Sequence, residues 1–202
     1  MHKIITISRE FGSGGRELGK RLANALGIPC YDHEIIEMIA KENGFDERYV
    51  ANVSEKSIEA AYPMTIGHRF AMPSMEIMEQ PIRVAAAQRQ IIENFAKQGD
   101  CVIIGRCADY VLDGTEGLIR VFLYADIKVR EERVRERNLY ADKDVLKNIH
   151  RIDRERRDYN RYYAGRDWEK PENYDLLINT TQIGVDGAVQ LIKDYLKMRG
   201  LL

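Results

Sequence analysis

The chain of 202 residues is poor in the residues that build sites on their own: three cysteines, four histidines and a single tryptophan. Cys30, Cys101 and Cys107 are odd in number and nowhere spaced C-x-x-C. That pattern excludes a disulfide framework or a cysteine zinc site and predicts reduced core or strand-edge residues. His2, His33, His68 and His150 are scattered, so no metal-ligating pair is expected. No apolar run approaches the roughly 20 residues of a membrane span. The chain does not open on a basic-then-apolar leader, because strand-like sequence begins at Lys3, and a soluble cytoplasmic protein without membrane contact is expected. Charge of one sign is missing too. The 31 basic and 32 acidic residues leave a net charge of −1, without the global footprint of a nucleic-acid binder.

Hydrophobic residues make up 45% of the chain, enough to build a sizeable core for one domain over residues 1–202. Ile4, Ile5 and Ile7 with Thr6 form a β-branched run suited to a buried parallel strand, and Leu18, Leu22, Ala25 and Leu26 recur at helical spacing over residues 16–26. Between them lie Gly12, Ser13, Gly14 and Gly15. Glycines there permit positive φ and inward-facing N–H groups, and the helix behind adds its positive end, so Gly12, Ser13, Gly14, Gly15, Arg16 and Glu17 read as a phosphate cradle. The plainer reading is a glycine-rich strand-to-helix connection.

The cradle departs from the pattern G-x-x-x-x-G-K-[ST]. With Gly14 as its second glycine, Arg9 replaces the first glycine, Gly15 the lysine and Arg16 the magnesium-binding hydroxyl. A second alignment on Gly14, Gly19 and Lys20 fails at Arg21 and would need helix where the loop must be. The expectation is that Arg16 supplies the cation, as a planar fork rather than a point charge.

Further along, residues 28–31 read as a strand closing on Asp32, at a place for either a substrate or metal-water contact or a cap of the helix 33–41. Residues 44–80 show no clean period. Their methionines at 64, 72, 75 and 78, with Phe70, would suit adaptable apolar contacts, including a homodimer interface. Pro81 suits the first position of a helix that stops at Gly99. Strand 101–104 leads to Gly105 and Arg106, where an arginine behind a glycine can fork onto a phosphate or simply sit in a surface turn.

Strand 119–124 precedes a charged helix near residues 128–138, whose alternating arginines and glutamates read as a solvated face. Residues 149–166 mix six arginines with three tyrosines, and Arg154, Asp158 and Arg161 share one helical face. An RNA-binding patch competes for that segment, but acids are interleaved and net charge is near zero. Residues 168–174 read as a loop, 174–179 as a strand and 185–198 as the last helix.

The run Ile7-Ser-Arg-Glu-Phe-Gly-Ser-Gly-Gly-Arg-Glu17 resembles the opening of the cytidylate kinase-like family, a divergent branch of the P-loop nucleoside monophosphate kinases. Residues 102–109, 153–163 and 168–181 agree with it. The resemblance implies an α/β three-layer P-loop fold whose five-stranded parallel sheet is ordered 2-3-1-4-5. It also implies an acceptor-binding insertion over 45–80 and a lid over 149–170 that matches Arg-acid-x-x-Asp-x-x-Arg at Arg154, Glu155, Asp158 and Arg161. The end of the last strand, near Asn179, would neighbour the adenine, or be a structural turn.

The implied activity is phosphoryl transfer from ATP, with Mg2+, to a nucleoside monophosphate. Gly12 to Glu17 would hold the donor phosphates, and Arg16, Arg154 and Arg161 the transferring charge. Asp32, Arg106 and Asp158 would face the acceptor. No metal ligand is named, although Ser13 could approach magnesium. In the family an Asp-Gly-Arg-Asp motif ends in an acid that helps to read the nucleoside. Here Cys107 stands in its place, with Asp109 as the candidate substitute. The competing function is a nucleotide-binding or regulatory module that kept the cradle and lost transfer.

Overall fold

The β-branched runs form strands because both of their faces find apolar partners. The computed structural model describes residues 2–54 and 75–202. Its strands are β1 (Ile4–Arg9), β2 (Cys30–Tyr31), β3 (Cys101–Ile104), β4 (Leu118–Tyr124) and β5 (Leu176–Asn179), all paired in parallel in the order β2-β3-β1-β4-β5. The α/β class and the sheet order are those expected. β1 lies at the centre, with Ile5 opposite Val102 on β3 and opposite Ile119 on β4.

Helices cover both faces. Among the described residues they are α1 (Gly15–Leu26), α2 (His33–Asn43), α3 (Glu47–Val53), α4 (Met75–Gln98), α5 (Ala108–Val111), α6 (Ile127–Glu136), α7 (Val145–Ala164) and α8 (Thr180–Met198). Alternation along the strands divides the core. Ile5, Ile7, Val102, Ile119, Val121 and Leu123 meet Leu18 and Leu22 of α1 and Ile192 and Leu196 of α8. On the other face Ile4, Cys101 and Ile103 meet Ile35 and Ile39 of α2 and Ile91, Ile92 and Phe95 of α4. Gly19 of α1 allows close packing on the sheet: a Cβ there would stand 2.6 Å from Ile104 Cδ1.

Two boundaries differ from expectation, each for a local reason. Pro81 lies inside α4 rather than opening it. Its fixed φ suits a helix, and the preceding Met, Glu, Ile and Gln residues are tolerant helix formers, so the helix runs through at the loss of one backbone hydrogen bond. The last helix runs over 185–198 as expected, but a further helical turn precedes it from Thr180, where the Asn179 side chain accepts from the Thr181 N–H at 2.9 Å, and the non-helical Gly184 at φ +63 separates the two. The loop expected over 168–174 is present, with a short 3-10 turn at Pro171–Asn173, and it buries Trp168 and Tyr174 against Phe122.

The three cysteines are free thiols. Burial pushes Cys30 up to about 11 and Cys101 to about 12, which keeps both protonated. Among the described residues no helix is long and apolar enough to cross a membrane. Most of the expected insertion at 45–80 lies outside the described residues.

Ile119 is fully buried in the central layer between α1 and α8. Ile119→Ala is expected to lower unfolding stability by about 2–5 kcal/mol, measured by urea denaturation followed through Trp168 fluorescence.

Candidate functional site

Because β1 sits between β3 and β4, where chain order reverses, a crevice opens beyond its carboxyl end. The turn from β1 into α1 occupies that position. Gly12 and Gly14 take φ of +83 and +95, and α1 starts on Gly14 without a side-chain cap. Four of the loop's carbonyls are taken by protein donors. Glu10 C=O accepts from the Ser13 hydroxyl at 2.8 Å and from the Ser13 N–H at 3.3 Å. Phe11 C=O accepts from Arg130 Nε at 2.8 Å. Ser13 C=O accepts from Thr180 Oγ1 at 2.8 Å and Arg133 Nη1 at 3.1 Å, and Gly14 C=O from the Leu18 N–H at 2.9 Å.

The amides are left over. Among the described residues no group accepts from the N–H of Gly12, Gly14, Gly15, Arg16 or Glu17. A row of unspent donors at the positive end of a helix is an anion receptor. Glycine is required sterically as well: a Cβ on Gly12 would lie 2.9 Å from the Arg130 carbonyl oxygen, and one on Gly15 would lie 2.6 Å from Arg9 Cγ.

Arg16 is 64% exposed, and its Nε pairs with Asp32 Oδ2 at 2.6 Å across the mouth of the loop. Asp32 makes no cap hydrogen bond to α2. The Glu34 carboxylate instead takes the Asp32 N–H at 2.9 Å, so capping, one of the two roles open to Asp32, is not the one it plays. Glu17 pairs with Arg21 at 2.6 Å on the outer side of α1. The Ser13 hydroxyl is buried and turned onto Glu10, which leaves it shaping the loop rather than facing a ligand.

On the other side of β1, Gly105, Arg106 and Cys107 take φ of +73, +56 and +52 in succession. Non-glycine residues seldom adopt that region, and strain of this kind collects at functional positions. Arg106 is buried, donates to Ser54 Oγ, and accepts from Gln88 Nε2 at 3.2 Å through its carbonyl. It lines a narrow crevice with Arg9, Arg156, Tyr159, Asn160 and Trp168. Asn160 Nδ2 donates to the Arg156 carbonyl at 3.0 Å, which turns Oδ1 away, and among the described residues that buried oxygen has no partner. Asp109 does not replace the missing acid at Cys107. It is 1% exposed, pairs with Arg166, and is absent from the crevice wall. Burial raises its pKa, with Arg166 only partly opposing.

The face predicted on α7 is only partly brought together. Arg154 lines a cleft of about 670 Å³ with Glu10, Arg130, His150, Asp153 and Arg157. Arg161 is not on that wall: it is 65% exposed and pairs with Asp167 at 3.4 Å. Asp158 is half-buried and also off the wall.

The expectation of a solvated α6 is corrected at two residues. Arg130 is buried, joining Phe11, Glu10 and Asp153, and Arg133 reaches Ser13 and Thr180. The available signal was that Arg130 shares a helix face with Val134, four residues on, which is also buried. Asp153, which accepts the Phe11 N–H at 2.7 Å, and Arg156, which donates to Arg9 C=O at 2.9 Å, were also missed as loop contacts. Glu10 carries a raised pKa, because burial outweighs the nearby Arg130 and the Ala125 N–H.

Comparison with known proteins gives concordant results. The model of the cytidylate kinase-like family matches residues 4–182. A protein named cytidylate kinase from Pyrococcus horikoshii is 30% identical, over 94% of this chain and 86% of its own length. One from Thermococcus kodakarensis is 28% identical, over 98% and 91%. Among solved structures, an uncharacterized protein from Eubacterium ventriosum superposes with a TM-score of 0.72 at 26% identity, covering 96% of this chain and 98% of that one. The shikimate kinase from Acinetobacter baumannii, at 14% identity and a TM-score of 0.56 over 100% and 96% of the two chains, shares the fold.

Gly12 combines positive φ with contact against a backbone oxygen. Gly12→Ala is expected to cost about 1–3 kcal/mol of stability from φ alone, read as a lowered urea midpoint; a midpoint equal to wild type would show that the loop tolerates another path.

Proposed function

The chain belongs to the cytidylate kinase-like family, and on that premise we propose that it transfers the terminal phosphoryl group of ATP to a pyrimidine nucleoside monophosphate. One observation carries the reading. The Arg9 side chain lies against Gly15 on one side and lines the crevice with Arg106 and Arg156 on the other. An anion receptor for a polyphosphate therefore shares a wall with an arginine-lined crevice of about 10 Å³, which in this proposal widens to admit a second phosphate. Phosphoryl transfer asks for little more than two anionic groups brought into line, with charge support and water kept out.

In this proposal the amides of Gly12, Gly14, Gly15, Arg16 and Glu17 hold the donor phosphates, Ser13 shapes the loop between them, and Arg16 adds a fork at the mouth. Arg106 holds the acceptor phosphate, with Asp32 and Asp158 orienting the acceptor. An oxygen of that phosphate bonds to the γ-phosphorus as the bond to the β-γ bridging oxygen breaks and ADP leaves, so no side chain need act as a base. Arg154 and Arg161, on the proposed lid segment 149–170, bear on the charge of the transferring group, Arg161 after a shift of α7 toward the cleft.

Mg2+ would supply charge neutralisation on the polyphosphate. Among the described residues no group of three or more His, Cys, Asp or Glu is placed to hold an ion, and the Ser13 hydroxyl is spent within the loop. No side chain is therefore assigned to the metal. Cys107 leaves the crevice without the acid of the family motif, and the unpartnered Asn160 Oδ1 is the buried acceptor available to an N–H or O–H of the nucleoside.

A panel of CMP, dCMP, UMP, AMP and GMP with ATP, read as ADP formation, tests the proposal, and turnover with the pyrimidine nucleotides is the expected result. Calorimetric ATP binding with no transfer to any acceptor would instead identify a nucleotide-binding regulatory module. Arg16→Ala and Arg154→Ala are each expected to lower kcat by about 10²-fold or more, and unchanged rates would remove those roles. Asn160→Ala is expected to raise the KM of the acceptor about tenfold while the KM of ATP stays constant.

A further inference from the structure

We propose that Arg130 and Asp153 are positioning residues that set the phosphate loop by gripping both polar groups of Phe11; the inference rests on the phosphate-binding reading of that loop. The Phe11 N–H donates to Asp153 Oδ1 at 2.7 Å, and the Phe11 carbonyl accepts from Arg130 Nε at 2.8 Å. The rest of the Arg130 guanidinium closes the ring. Nη2 pairs with Asp153, and Nη1 with the Glu10 carboxylate at 3.0 Å. One planar fork thus serves three acceptors from two directions, and a lysine ammonium could not reproduce that geometry.

The effect passes through covalent geometry. A peptide unit is planar, and those here are trans, so the direction of the Phe11 carbonyl fixes the direction of the Gly12 N–H, pointing the opposite way. Gly12, at φ +83 and without a Cβ, would otherwise let this unit turn over at little steric cost. A turned unit would put a carbonyl oxygen where the anion receptor needs a donor. Arg130 prevents it by holding the oxygen, and Gly12 fits because the Arg130 backbone carbonyl abuts its Cα, 2.9 Å from where a Cβ would stand. Both side chains are buried, Arg130 to 7% exposure and Asp153 to 9%, so their hold on the loop is not a loose surface pairing. Arg130 of α6 and Asp153 of α7 therefore contribute to phosphate binding without contacting phosphate.

The test is calorimetric titration of the full chain with inorganic tripolyphosphate, which isolates the loop from base recognition. Arg130→Lys and Asp153→Ala are each expected to weaken binding about tenfold or more. Asp153→Asn keeps an oxygen for the Phe11 N–H but sets an NH2 group against Arg130 Nη2, so it is expected to weaken binding by less than Asp153→Ala does. In steady-state assays the loss is expected in the KM of ATP, with the KM of the acceptor unchanged.

Wild-type affinity in Arg130→Lys overturns the proposal. If that variant does not fold by circular dichroism, the Asp153 pair decides, and equal affinities for the alanine and asparagine variants overturn it. A wild-type chain that binds tripolyphosphate yet phosphorylates no acceptor defeats the proposed reaction and leaves this inference standing. A wild-type chain that does not bind tripolyphosphate defeats both.

Discussion

A buried peptide carbonyl must find a donor, and in the turn after β1 several of the donors come from segments more than a hundred residues away in sequence. Arg130 and Arg133 come from α6, Thr180 from the start of α8, and Ser13 and Leu18 from the loop and helix themselves. Once those oxygens are satisfied, the remaining N–H groups have nowhere inside the protein to go. The receptor is thus defined by what its surroundings consume. Parallel pairing of β1 with β3 and β4 is what brings these partners to one edge, since every strand delivers its carboxyl end to the same side.

Much of this architecture could be read from residue order. The β-branched run at Ile4 and its counterparts at Cys101 and Ile119 are buried on both faces and have few alternatives to strand, and Gly12 to Gly15 advertise positive φ. The periodicity of α1 was equally legible. Pro81 misled because a helix can run through a proline despite its cost, so the residue marks a first turn only by preference, and the helical turn at Thr180 was missed because an Asn-Thr-Thr turn cut off by Gly184 looks like a loop.

The site was harder to read, for a physical reason. Arg130 and Arg133 stand among glutamates at helical spacing, the mark of a solvated face, and only a partner more than a hundred residues away makes them interior. The same holds for Asp153, whose partner Phe11 is remote in sequence. Charge patterns report local neighbours, while burial depends on topology. Asp109 illustrates the converse: its place near Cys107 in sequence suggested a substrate contact, but its carboxylate faces inward to Arg166.

On α7, Asp153 and Asn160 are seven residues apart, about 10 Å along one face of a continuous helix. The first grips the turn after β1 and the second lines the arginine crevice, with Arg156 between them. A rod of this kind gears the two ends together: any roll or slide that refits one end displaces the other. Substitutions that shift the helix as a whole, unlike the truncation of one side chain, will therefore be felt at both ends at once.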